Sequence, residues 1–128
     1  LTSFGGSFYY RAFDPDHGVE LWRSAGSTAS TGLVADLRPG PLPSTPMRAV
    51  PLGGELLFVA TGASGAVEWH KTDGVTTSVV TPIAPPGLSA SIGSEVLQGG
   101  HVLFTASDGA TGIELWRTDG TAAGTQQV

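Results

Sequence analysis

The chain contains no cysteine, so disulfides, zinc–thiolate sites and thiol nucleophiles are excluded from the start. Charge is scarce as well, with Asp, Glu, Lys and Arg making up only 13% of the 128 residues, about half the usual share. Six Lys and Arg stand against eleven Asp and Glu, a net charge of -5. That balance disfavours a phosphate-binding surface, and with it nucleic acid as a partner. No apolar run approaches the ~18 residues needed to cross a bilayer. The longest, around Leu56 to Ala60, has the length of a strand, and no membrane insertion is expected. The chain opens on Leu1 without a signal-peptide pattern and is read as a processed product or a piece of a longer protein.

Glycine and proline are plentiful, at 19 and 9 residues. Few stretches of ten residues escape both, which excludes long helices. Hydrophobic residues, at 40%, suffice for a core, and the length suits one domain over residues 1–128.

The sequence repeats itself. Trp22, Trp69 and Trp116 are 47 residues apart, as are Gly18, Gly65 and Gly112. Residues 6–34 laid over 100–128 give 12 identities in 29 positions without a gap. The heart of the match is Gly18–Ser24 (GVELWRS) against Gly112–Thr118 (GIELWRT). The middle copy slips by one residue. At an offset of 48, Phe58, Ala60, Glu68 and Gly74 match Tyr10, Ala12, Glu20 and Gly26, whereas only Gly65 and Trp69 fit 47. The 48 register is favoured because more positions support it; it sets Trp69 in the place of Leu21 and His70 in that of Trp22. The choice matters because one residue of slip turns a strand's side chains to the other face. The repeats run approximately over 6–53, 54–99 and 100–128, the last incomplete.

Each repeat reads as a set of short strands. Ser7–Ala12, Glu55–Ala60 and His101–Ala106 are rich in apolar residues and bounded by glycine, as strands are. A loop follows, Asp14–Gly18 or Asp108–Gly112, then the Glu-Leu-Trp strand and a turn at Ser24–Ser27, Thr72–Val75 or Thr118–Thr121. Asp-Gly within such a turn is a hairpin signal. Further strands are expected over Gly32–Leu37 and Ser78–Ile83, with Pro39-Gly40 and Pro86-Gly87 after them. Short strands at this period match a propeller blade or a lobe of a three-fold β-trefoil.

The run Gly112–Thr125 (GIELWRTDGTAAGT) resembles the bacterial ELWxxDGT repeat. The first copy departs from that pattern at Ser24–Ser27, where the Asp is lost, but keeps Asp36 and Pro39-Gly40. The second keeps Thr72-Asp73-Gly74 and Pro86-Gly87 but lacks the Leu-Trp pair. The resemblance implies a bacterial extracellular or cell-surface protein, arranged in tandem and β-propeller-like, with no agreed activity and no defined catalytic residues.

The residues singled out are Trp22, Trp69, Trp116, Glu20 and Glu114. Glu20 and Glu114 precede Trp22 and Trp116 by two positions, on one strand face. One reading has the indole rings cover the seam to the next repeat; the other makes them sugar-stacking platforms with a polar partner. Recurrence in successive copies favours packing. The loop Asp14-Pro15-Asp16-His17-Gly18 holds closely spaced carboxylates of the kind calcium uses, yet the third copy offers only Asp108, so an Asx turn is favoured and no cofactor is expected. His17, His70 and His101 lie at no ligand spacing. No serine sits in a nucleophile elbow, and Gly5-Gly6 and Gly53-Gly54 precede strands rather than helices, so no phosphate loop is expected. No enzyme is expected.

The expected fold is therefore all-β, with about 2.7 tandem ~47-residue blade-like repeats, where a ring needs at least about four; a β-trefoil is the alternative. The expected function is a non-catalytic extracellular structural or protein-interaction module, partnered by copies of itself or by neighbouring repeats. The alternative is a carbohydrate-binding, lectin-like module whose partners are glycans.

Overall fold

The computed structural model describes residues 2–84, 92–107 and 112–128. The described elements are twelve strands and one 3-10 turn, Thr28–Ser30. The chain is all-β. The first sheet contains β1 (Thr2–Phe4), β2 (Ser7–Asp14), β3 (Gly18–Ser24) and β4 (Gly32–Ala35) in that order. The second contains β5 (Met47–Leu52), β6 (Glu55–Thr61), β7 (Val67–Thr72) and β8 (Thr77–Ala84). The third contains β9 (Ile92–Gln98), β10 (His101–Ser107), β11 (Ile113–Thr118) and β12 (Gln126–Gln127). Neighbouring strands within each sheet are antiparallel.

Among the described residues no strand of one sheet pairs with a strand of another, and the sheets close no barrel. This overturns the β-trefoil alternative, which needs strands from all three lobes in one closed barrel. The physical reason is local pairing: each strand finds its partner next in sequence, and the set is complete after four.

The first two strands of each sheet are joined by a Gly-Gly turn. Gly5 and Gly6, Gly53 and Gly54, and Gly99 and Gly100 all have positive φ. Two consecutive positive-φ residues make the turn whose twist matches paired antiparallel strands, and glycine adopts it without a Cβ penalty. The flanking pairs are Phe4 with Ser7, Leu52 with Glu55, and Gln98 with His101. The strands ahead of these glycines thus belong to the sheets that follow them, and a repeat counted from Gly6 ends on β5, a strand of the second sheet. The third sheet is completed by β12 and the first by β1, so three whole sheets stand where the repeat count reached about 2.7.

The Asp73-Gly74 turn closes the expected hairpin, joining β7 to β8 through a four-residue loop between the paired Thr72 and Thr77. The Asp73 carboxylate accepts the amides of Val75 and Thr76 at 2.8 and 2.7 Å, and the Thr72 hydroxyl accepts that of Gly74 at 3.0 Å. Asp119 accepts from Thr121 in the same way, and Thr118 from Gly120. In the first sheet Ser24 takes the hydroxyl's part, accepting from Gly26 at 3.1 Å. Side-chain caps of this kind replace ladder bonds at the strand ends. Pro86-Gly87 and the loop Asp108–Thr111 lie outside the described residues.

The sheets stack face to face through two apolar seams. Tyr9 and Leu21 of the first sheet meet Leu56, Phe58 and Ala60 of the second. Leu57, Val59 and Trp69, on the other face of the second sheet, meet Val102, Phe104 and Ala106 of the third. Successive side chains alternate between faces, which is why β6, with a continuous apolar run, is buried from Leu56 to Ala60. The leading strands also meet. Thr2 Oγ1 donates to the Ala49 carbonyl at 3.3 Å, and Arg48 pairs with Glu95 at 2.8 Å, linking β1 to β5 and β5 to β9.

Candidate functional site

The strand registers give every sheet a front and a back. In the first sheet Tyr10 lies opposite Trp22 and Ala12 opposite Glu20. In the third, Phe104 lies opposite Trp116 and Ala106 opposite Glu114. In the second, Phe58 lies opposite His70 and Ala60 opposite Glu68. His70 therefore holds the position of the two tryptophans, the arrangement expected from the 48 register. Call this face the front. The front of the second sheet rests on the back of the first, and the front of the third on the back of the second.

The five residues singled out from the sequence are not gathered into one site. Trp69 is fully buried on the back of the second sheet and meets Phe104 edge-on, their centroids 5.2 Å apart. Trp116, half-buried, stacks on Phe104 at 6.5 Å and 26°. Trp22 is half-buried on the front of the first sheet, against which no described sheet lies. The indole N–H groups of all three are shielded and unpaired among the described residues. Glu114 is half-buried.

Glu20 is fully buried. Its carboxylate accepts the Ser44 amide at 3.0 Å, the Ser44 hydroxyl, and the Leu37 amide at 3.4 Å. Burial pushes its carboxyl above the ordinary range, and the bonds from Ser44 and Leu37 oppose that shift. This is an anchor for the connection between the first two sheets, and sequence pattern alone paired Glu20 with Trp22 instead.

His70, also fully buried, stacks on Phe58 at 5.5 Å and 20°. Neither ring nitrogen makes a hydrogen bond of normal geometry, the nearest carboxylate oxygen being Glu68 Oε2 at 3.5 Å from Nε2. Burial lowers its pKa to about 4, so the ring is neutral at physiological pH. His17 sits elsewhere, its Nδ1 2.9 Å from Asp14 Oδ2, while Asp14 Oδ1 accepts the amides of Asp16 and His17. The Asp14 carboxylate is held below its usual value by the His17 bond, and His17 is raised by the same contact. His101 Nδ1 lies 3.1 Å from the Gly99 carbonyl. Among the described residues no three His, Asp or Glu side chains cluster as metal ligands would.

A cleft of about 550 Å³ opens where the leading strands meet. Its lining includes Tyr9, Arg11, Arg48, Phe58 and Glu95, of which Arg48 and Glu95 are already paired. Sequence reasoning missed this cleft because its residues come from all three sheets. No described helix is long and apolar enough to cross a membrane.

No protein-family model matches the chain, and neither does a curated protein or a solved structure.

Proposed function

We propose that this chain is a non-catalytic extracellular structural and protein-interaction module, whose sheets stack front to back as part of a larger or assembled β-propeller. One observation carries the reading: both internal seams use the same two faces in the same order. A scaffold that grows by one repeated contact can extend until it closes. The extracellular and bacterial parts of the reading rest on the ELWxxDGT resemblance.

The carbohydrate-binding alternative needs exposed aromatic rings. Trp69 has no exposed surface, and Trp116 stacks against Phe104, which leaves Trp22 as its one candidate among the three tryptophans. A glycan array run on the parent and on Trp22→Ala tests the choice. No glycan binding is the expected result. A glycan held by the parent and lost in the variant, at unchanged melting temperature, would overturn the module reading in favour of a lectin.

A further inference from the structure

Arg11 departs from the pattern of its counterparts. It lies opposite Leu21 on the back of the first sheet, where the second sheet has Val59 opposite Trp69 and the third has Thr105 opposite Leu115. Val59 is fully buried and Thr105 half-buried, whereas Arg11 is exposed. A charge where the other copies place uncharged side chains breaks local consistency, and such breaks collect at functional sites. Among the described residues Arg11 makes no hydrogen bond or ion pair. It lines the cleft of about 550 Å³, together with the buried side chains of Tyr9, Leu21, Pro46 and Phe58. That volume is within the range of about 300–1,000 Å³ usual for small-molecule sites.

The backbone of one wall is strained. Thr45 and Arg48 are the two non-glycine residues with positive φ among the described residues, at 50° and 56°, and they bracket Pro46 and Met47 of the lining. Met47 pairs with Val59 and Val50 with Leu57, so Arg48 and Ala49 stand against Phe58 alone. A bulge of this kind re-aims a side chain. The matching irregularity in β9, at Gly93 and Ser94, uses no positive φ, so the ladder does not demand it at Arg48. Strain that the ladder does not require gathers at ligand clamps. Arg48, so placed, pairs with Glu95 at 2.8 Å. Glu95 is the one carboxylate among the described residues of the lining, and its charge is thereby balanced. The Arg11 guanidinium is left as the unopposed charge of the cleft.

We propose that this cleft binds a small organic carboxylate, its charged group paired with Arg11 and its apolar body lying on Tyr9, Leu21 and Phe58. A guanidinium presents a carboxylate with two parallel N–H donors. In a chain of net charge -5, an anion is held only where a local cation outweighs the surrounding field. A free organic acid and the C-terminus of a peptide offer the same chemistry, and the test separates them. Trp22 is not part of the lining, so neither result depends on the glycan array.

Backbone amide shifts of the isotope-labelled 128-residue chain are followed by NMR as one of three probes is added. The probes are phenylpropionate, its neutral amide, and N-acetylglycylphenylalanine with a free C-terminus. Each is taken to about 10 mM, enough to detect millimolar affinity. Phenylpropionate is expected to shift the amides of Arg11, Ala49 and Phe58 to saturation, and the neutral amide to shift none of them. Arg11→Gln, a change at an exposed side chain, is expected to keep the parent's melting temperature and to bind the acid about tenfold or more weakly, the loss of a charge-assisted bond.

Tighter binding of the peptide acid than of phenylpropionate supports the site and makes a chain terminus the source of the carboxylate; the reverse order supports it and makes the source a free acid. No saturable shift with either acid overturns the proposal, as do shifts confined to residues outside the cleft. An equal response to the neutral amide overturns it too, and so does unchanged affinity in Arg11→Gln.

Discussion

Glu20 and Ser44 are joined twice, the buried carboxylate of β3 accepting both the amide and the hydroxyl of a residue 24 positions later. The second contact fixes where the chain leaves the first sheet for the second. Removing the carboxylate leaves the Ser44 amide and hydroxyl only their longer contacts to the Val19 carbonyl, so Glu20→Ala is expected to cost about 1–3 kcal/mol. Urea unfolding measures it, and an unchanged midpoint would mean that the connection is held by other bonds. Because burial raises the Glu20 pKa, its contribution is fully present below the unfolded value and is lost as pH rises through the folded one.

His70 acts in the opposite direction. Its pKa falls from 6.5 to about 4 in the fold, so the unfolded chain binds the extra proton between those values. Its contribution is whole above pH 6.5 and lost as pH falls towards 4, by about 3 kcal/mol. His70→Phe keeps a flat ring against Phe58 and removes the titration. The difference in stability between parent and variant should therefore depend on pH across that window and be flat above it. A pH-independent difference would mean that the ring is not held neutral.

The three tryptophans should be unequal. Trp69→Ala, at a fully buried ring, is expected to cost about 3–5 kcal/mol. Trp116→Ala should cost less, about 1–3 kcal/mol, since that ring keeps part of its surface exposed. Equal shifts in thermal unfolding would contradict the burial assigned to the two faces.

Gly74 and Gly26 share a positive φ, 94° and 95°, so alanine at either carries backbone strain of roughly 1 kcal/mol. Only at Gly74 does the new Cβ also meet Tyr9 and Arg23. In thermal unfolding, Gly74→Ala should destabilise more than Gly26→Ala. Matching losses would mean that the turn does not touch the preceding sheet.

The carboxylate of Asp14 is occupied by its own turn, with Asp16, His17 and the imidazole as partners. Melting temperature is therefore expected to be the same in calcium and in EDTA. A clear rise with calcium would identify a site that these bonds conceal.

Much of the fold is legible in the sequence because strand signals are local. Ser7–Ala12, Glu55–Ala60 and His101–Ala106 lie inside β2, β6 and β10; their alternation and flanking glycines follow from one hairpin each. The short β1 was missed, because Thr2–Phe4 has too few residues to carry a period. The hairpin at Asp73-Gly74 is legible for the same reason, since the Asp caps its own turn through its side chain and the Thr before it caps the glycine amide. The candidate site was less legible. Which tryptophan lies in a seam depends on which face meets a neighbour, and that is fixed by contacts between residues far apart in sequence. Ser44 offered no pattern at all, since only the folded connection brings it to Glu20.

The Gly-Gly turns put the unit that recurs in the sequence one strand out of phase with the unit that folds. A segment excised between Gly6 and Gly53 carries β5 away with β2, β3 and β4, and it joins Gly5 to Gly54 so that β1 takes the place of β5 ahead of β6. No copy can therefore be gained or shed as a self-contained body; its neighbour must supply the missing strand. In evolutionary descent this stitches successive copies together, since a duplication is viable only when its last strand finds the next copy's first glycine pair already in place.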